Sequence, residues 1–424
     1  MSETTCLTGA AHVLTCAGPD RGPVADWATL GLASDSDVVL ESRATGWYVT
    51  WIGPRAAADR PAADRTIDLG GRVLMPGFVD AHTHAVFAGD RSAEFSRRLS
   101  GASYADIAAD GGGILATMAA TRAAPVEDLV AQSAPRLAEM RRWGVRLVEI
   151  KTGYGMQTDA EVRQLLAIGA LAERFDGQIE VVATAMPAHA VPPEHSGDPD
   201  AYVAYVCDDI VPALTHARDQ EAIPCPFFDV FIDEGYFSLE NAERLWMNAI
   251  GQGLRMKAHV DEFADLGGVA WAVERGAVSV DHLLVTSAES VACLAASSTV
   301  AVCLPLTSLF LRTAHAPMRD LVDAGALLAL ATDCNPGSAM TTNLPLALQI
   351  AVLEAALSPQ EAIRAVTRCG ALAVAEPAGF CGRIAVGERF LGTAFDIAHP
   401  DALFYELGAP PRAWIGFDEA LAAT

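Results

Sequence analysis

The stretch PGFVDAHTHAVFAGDR, residues 76–91, decides how the rest of the chain is read. It opens on a Pro-Gly break, crosses the apolar pair Phe78-Val79 and delivers His82 and His84. Along an extended strand, residues i and i+2 share a face. His-x-His at a strand end is therefore a two-nitrogen clamp for a transition metal.

Working outward, apolar and β-branched runs recur at 73–79, 145–150, 178–184, 227–232, 254–259, 277–282, 299–304 and 326–333. Runs this apolar, without clean alternation, suit a parallel sheet covered on both faces. Helical stretches follow most of them. Thr158 with Glu161, and Ser358-Pro359 with Glu361, read as capping boxes that open helices. Strand and helix alternating eight times predict a (β/α)8 barrel. A doubly wound open sheet is the alternative, but the G-x-G-x-x-G turn of a dinucleotide fold is missing after the first strand.

The ends read differently. WYVTWIG (47–53) and RTIDLGG (65–71) are short β segments, and β-like sequence returns after residue 379. The expectation is a small β-sandwich composed of 1–72 and 379–424, docked on a barrel that occupies 73–378.

Composition limits the function classes. The 424 residues are 51% hydrophobic and 19% charged, which supports a large core. A net charge of −24 repels phosphate backbones, so nucleic acid is not expected as a partner. Nine scattered cysteines without a C-x-x-C suit a reducing cytosol. The start MSETTCLTGA lacks the basic and apolar regions of a signal peptide, and there is no apolar run of about 18 residues that would cross a membrane. A cytoplasmic protein is expected.

In barrels of this kind, catalytic groups sit at the C-terminal strand ends. The expected first strand ends at His82 and His84, the fifth at His259, the sixth at His282 and the eighth at Asp333, while the loop after the third carries His189. His12, His195, His216, His315 and His399 fall outside that pattern. Three imidazoles and a carboxylate (His82, His84, His259, Asp333) suit one divalent ion, Zn or Fe(II). Such an ion acidifies water enough for hydrolysis near neutral pH.

PGFVDAHTH, KAHVDE, SVDHL and ATDCNPGS resemble the ligand motifs of the amidohydrolase superfamily, in its order. HTHAVFAGDR, Gly111-Gly112-Gly113-Ile114, EIKTGYG (149–155), AHAVPPE (188–194), HVDEF (259–263) and ATDCNPGSA (331–339) resemble the imidazolonepropionase family. The resemblance covers residues from about 70 to 400. It implies hydrolytic opening of 4-imidazolone-5-propanoate to N-formimino-L-glutamate, in histidine degradation, at a mononuclear site. Glu262 would then contact substrate and shuttle a proton, and His282 would orient water or steady the oxyanion. Asp333 would ligate metal and accept a proton. Arg91 offers a planar fork for the substrate's carboxylate. Tyr154, His189, Asn335, Gly337 and Ser338 would complete the substrate grip, Gly337 by letting backbone N–H groups approach. Lys151 reads as structural rather than as a carboxylated metal bridge. The expected partners are a small anionic ring substrate and a second copy of the chain, in a homodimer.

The chain departs from the family at Ile232-Asp233, Leu306, Val260 and Pro187, positions expected to line the rim, and at Phe390-Leu391. These departures admit a sister hydrolase of a thioxo-imidazolidinone or hydantoin propionate, or a deiminase. From another class, a non-catalytic metal-binding barrel is the rival.

Overall fold

A computed structural model describes residues 2–101, 112–375, 379–414 and 416–422. Gly111, the first residue of the triple-glycine motif, lies outside them.

Strands β1 (Thr4–Thr8), β2 (His12–Leu14), β3 (Leu32–Ser34), β4 (Ser36–Arg43), β5 (Gly46–Pro54), β6 (Arg65–Asp68) and β7 (Val73–Pro76) come first. The eight strands of the barrel follow: β8 (Phe78–Asp80), β9 (Val145–Lys151), β10 (Glu180–Ala188), β11 (Phe227–Ile232), β12 (Arg255–Val260), β13 (Ser279–His282), β14 (Val300–Cys303) and β15 (Leu327–Leu330). Strand β16 (Gly392–Phe395) lies near the C-terminus. The barrel strands pair in parallel and in chain order, with helices between them. This is the (β/α)8 architecture.

The remaining strands form two four-stranded sheets, β5-β4-β1-β6 and β16-β7-β2-β3. Leu7, Val38, Leu40, Val49 and Ile67 meet Leu74, Ala394 and Phe417 in a core of their own. Both ends of the chain build it.

The run Val73–Val79 is therefore two strands in two sheets, not one barrel strand. Strand β7 pairs antiparallel with β16, then the chain breaks at Gly77 and enters β8. A Cβ on Gly77 would stand 2.2 Å from Arg146 Cγ and 3.0 Å from the Leu391 carbonyl, so only glycine fits the junction. Strand β7 alternates with period two between two cores: Val73 and Met75 face the barrel, Leu74 faces the sandwich. Both faces are apolar, so the sequence carries no period that would separate β7 from β8.

The barrel closes through the opening stretch. Thr83 and Cys334 form a parallel bridge beyond the ends of β8 and β15. The Asp333 N–H donates to the His82 carbonyl at 3.1 Å, and the His84 N–H to the Cys334 carbonyl at 3.0 Å. The closing seam thus passes through three of the candidate ligands.

Of the two expected capping boxes, Ser358 with Glu361 forms one, ahead of helix Pro359–Val366. Thr158 does not cap its helix; its hydroxyl meets the Tyr205 hydroxyl, 2.8 Å away. Glu161 is drawn elsewhere, accepting from the N–H groups of Gly153, Gly155 and Met156. It holds the loop after β9 rather than its own helix end. No helix among the described residues is long and apolar enough to cross a membrane.

Candidate active site

The inward positions of the barrel strands mix apolar residues, such as Leu147, Phe227 and Val302, with charges. Glu149 and Lys151 on β9, Asp229 on β11, Lys257 on β12 and Asp281 on β13 are all fully buried. Lys151 Nζ lies 3.0 Å from Glu149, 2.8 Å from Asp229 and 3.4 Å from Asp281, and Lys257 Nζ lies 2.8 Å from Glu149. Burial alone would strip the proton from Lys151, but Asp229, Glu149 and Asp281 hold it above its ordinary value as an ammonium. An ammonium with three carboxylate neighbours is not free to become a carbamate bridge.

Two of these carboxylates orient histidines. Asp281 Oδ2 accepts from His82 Nδ1 at 2.7 Å, and Asp229 Oδ1 from His259 Nδ1 at 3.0 Å. Each Nδ1 is therefore the protonated nitrogen, and each Nε2 keeps its lone pair. The Nε2 atoms converge. His259 Nε2 is 3.5 Å from His84 Nε2, and Asp333 Oδ1 is 3.5 Å from His82 Nε2 and 3.8 Å from His84 Nε2. A tetrahedral ion with arms of about 2.1 Å separates its ligands by about 3.4 Å. His82 Nε2 is buried with no hydrogen-bond partner among the described residues. Burial pushes His82 and His84 well below the usual histidine range, with neighbouring cations adding to the effect, so both rings are neutral donors. The residues present thus fit a divalent cation. Asp333 takes a third constraint from Thr307 Oγ1, which donates at 2.7 Å, and its own backbone sits at φ +52°.

Above this cluster is a cavity of about 230 Å³. Of the twelve site residues expected from sequence, it is lined by all but His82, which lies beneath the floor. Tyr154 and His189 form one wall; the His189 ring stacks on His84 with centroids 4.8 Å apart and 17° between planes. His189 Nδ1 meets the Gly153 carbonyl at 3.2 Å. Glu262 and His282 form the opposite side, with Glu262 Oε2 3.5 Å from His282 Nδ1. Burial, then Asp333 and Asp233, push the Glu262 carboxyl well above the usual carboxylate range. A carboxyl shifted toward its acid form beside the histidine and aspartate cluster suits proton delivery. His282 and Leu283 both sit in the left-handed region, at φ +83° and +65°. Such backbone strain concentrates at functional sites.

Two of the expected substrate contacts have structural tasks within the protein, and the expected lining by the departures is corrected. Asn335 spends its side chain on its own turn, its Oδ1 accepting from the Gly337 and Ser338 N–H groups at 2.7 and 2.8 Å and its amide donating to the Asp333 carbonyl at 2.7 Å. It shapes the rim more than it offers a free amide. Gly337 also leaves space for a neighbour: a Cβ there would stand 2.6 Å from Arg91 Nη1. The glycine makes room for the arginine. The departures at Pro187, Ile232, Asp233, Val260 and Leu306 do not line the cavity. Val260, Ile232 and Leu306 are packed in the core. The walls that sequence reasoning missed are Arg98, Ile114, Phe231, Tyr236, Phe263 and Leu311.

Arg91 reaches the cavity with part of its fork already engaged. Its Nε and Nη2 edge donates to the two oxygens of Glu94, which also accepts from the Gly113 N–H. Nη1 is the nitrogen beside Gly337. The sequence signal missed most clearly is the pair Asp229 and Asp281. Each sits in a strand motif, F-F-D-V and S-V-D-H, as a carboxylate inside an apolar run, where an unpaired charge would be costly.

No protein-family model matches the chain. Among curated proteins, the imidazolonepropionase of Chloroflexus aggregans is 43% identical over 424 residues, covering 96% of each chain. That of Deinococcus radiodurans is 42% identical over 368 residues, covering 87% of each. Among solved structures, a triazine hydrolase from Arthobacter aurescens superposes with a TM-score of 0.69 at 19% identity, over 97% of this chain and 92% of that one. A zinc-bound adenosine deaminase from Xanthomonas campestris superposes with a TM-score of 0.66 at 19% identity, over 99% and 96%. The last two speak for the fold; the curated relatives, alike along nearly the whole length, place this chain in the imidazolonepropionase family.

Proposed function

We propose that this chain opens 4-imidazolone-5-propanoate to N-formimino-L-glutamate by adding water across the ring amide C–N bond. The observation that carries the reading is one cavity with His84, His259 and Asp333 at its floor, His82 directly beneath them and an arginine at its rim. The family relationship names the same reaction class.

His82, His84, His259 and Asp333 would hold one divalent ion, zinc or iron(II), which when bound supplies an acidified water and positive charge at the developing oxyanion. The chain's own residues do the rest. Asp281 and Asp229 keep the His82 and His259 rings in one tautomer and one orientation. His282 faces the carbonyl side and donates toward the oxygen that gains charge. Asp333 takes up the proton that the attacking water gives up, and Glu262, its carboxyl pushed well above the usual carboxylate range by burial, delivers a proton to the leaving ring nitrogen as the C–N bond breaks. Arg91 Nη1 pairs with the propionate, and Tyr154 and His189 hold the ring between floor and rim. A homodimer in a reducing cytosol completes the proposal; all nine cysteines are free.

The test is ultraviolet monitoring of imidazolonepropionate consumption, beside its thio and hydantoin analogues. Turnover of the first is expected. Turnover of an analogue alone would sink this reading. Arg91→Ala should raise KM by about 10- to 100-fold, the worth of a charged hydrogen bond, while bound metal stays at the wild-type level. Metal lost from that variant would remove Arg91 from the substrate-binding role.

A further inference from the structure

The departure at Asp233 sits under the loop that carries Glu262. Asp233 is 2% exposed and follows β11. Its Oδ2 accepts from the N–H of Glu262 at 2.8 Å and of Phe263 at 2.9 Å. Its Oδ1 accepts from the N–H of Ala264 at 2.9 Å and of Glu234 at 2.7 Å. One carboxylate thus closes on three successive backbone amides of the neighbouring β12 loop. The loop needs such a hold. Beyond β12 it turns through Asp261 at φ +55°, and it makes no ladder across 261–267. Phe263, next to Glu262, is 52% exposed and packs with one face only, on Tyr236 and Phe231 at ring-centroid distances of 6.1 and 6.3 Å, so packing holds it only in part.

We propose that Asp233 is a positioning residue for the reaction: by binding the amides of 262–264 it fixes the Glu262 carboxyl against His282 and the cavity floor. The proposal rests on Glu262 acting as proton donor in the hydrolysis above. Asp233 itself lies outside the cavity and touches no substrate. Its charge suits the task, because four N–H donors converge on two oxygens with no room for a donor in return. Asparagine at the same place would turn an N–H toward an N–H.

The test is a double-mutant cycle of Asp233→Asn and Glu262→Gln on the metal-loaded, full-length enzyme. Asp233→Asn alone should lower kcat by about 30-fold, in the range that a displacement of about 1 Å costs a catalytic group. KM and bound metal should stay near wild type, and amide exchange should accelerate at 262–264. In the Glu262→Gln background the same change should cost less than about threefold, because coupled residues do not add. Equal losses in both backgrounds, wild-type kcat in Asp233→Asn, or wild-type kcat in Glu262→Gln would each overturn the proposal. If Asp233→Asn fails to fold, Asp233→Ser, which keeps one acceptor, carries the same cycle. A wild-type enzyme that leaves imidazolonepropionate untouched sinks the hydrolase reading and this one with it. Turnover by wild type with additive losses sinks this one alone.

Discussion

At the scale of single residues, the site is a problem of tautomers. An imidazole can ligate only through a nitrogen that carries no proton. The Asp281–His82 bond at 2.7 Å decides which nitrogen that is. Asp281 also accepts from Ser279 Oγ and faces Lys151, so it cannot swing aside. Asp281→Asn should therefore weaken metal binding by about 10- to 100-fold, the usual cost of losing such an orienting carboxylate. Chelator competition measures it, with far-ultraviolet circular dichroism expected to stay native. Unchanged affinity would mean that the seam bond between Asp333 N–H and the His82 carbonyl is enough to fix the ring.

At the scale of elements, β9, β11 and β13 share one ammonium. Lys151 ties Glu149, Asp229 and Asp281 together inside the barrel. Taking it away leaves three buried carboxylates, of which only Glu149 keeps a lysine. Lys151→Met should cost about 3–5 kcal/mol of unfolding free energy, the measured scale for stripping one partner from a buried ion cluster, and should loosen metal as well. Urea unfolding with and without metal reads both. A variant as stable as wild type would show that the carboxylates protonate instead. This network also marks where the sequence was legible and where it was not. The histidines could be read because they stand at strand ends, where His-x-His and H-V-D-E interrupt apolar runs. Asp229 and Asp281 stand within the runs and Lys151 directly follows one, and without the barrel's interior nothing pairs them. Asp233 read as a rim departure, because no sequence pattern records which backbone amides a carboxylate will accept. The split of 73–79 into two strands was hidden by a different physics: β7 is apolar on both faces because it divides two cores.

At the scale of the whole molecule, the question is whether barrel and composite sandwich fold as one. The strand next to the C-terminal end of the chain holds the answer. β16 pairs with β7 from Gly392 opposite Pro76 to Phe395 opposite Val73. Its residues divide as those of β7 do: Ala394 faces the sandwich core, and Phe395 faces the barrel. There Phe395 packs on Phe78 with ring centroids 5.4 Å apart, and it fills the space that a Cβ on Gly144 would need. Phe78 opens β8, two residues of which separate it from Ala81 and His82. A residue from the chain's last strand thus packs against the root of the strand that presents the first candidate ligands. Phe395→Ala should cost about 3–5 kcal/mol, the usual toll for emptying a buried aromatic site. Because the lost contact belongs to both cores, unfolding monitored by tryptophan fluorescence and by metal release should shift together, in a single transition. Metal release that keeps its wild-type midpoint while fluorescence shifts would show instead that the barrel holds its site without the sandwich.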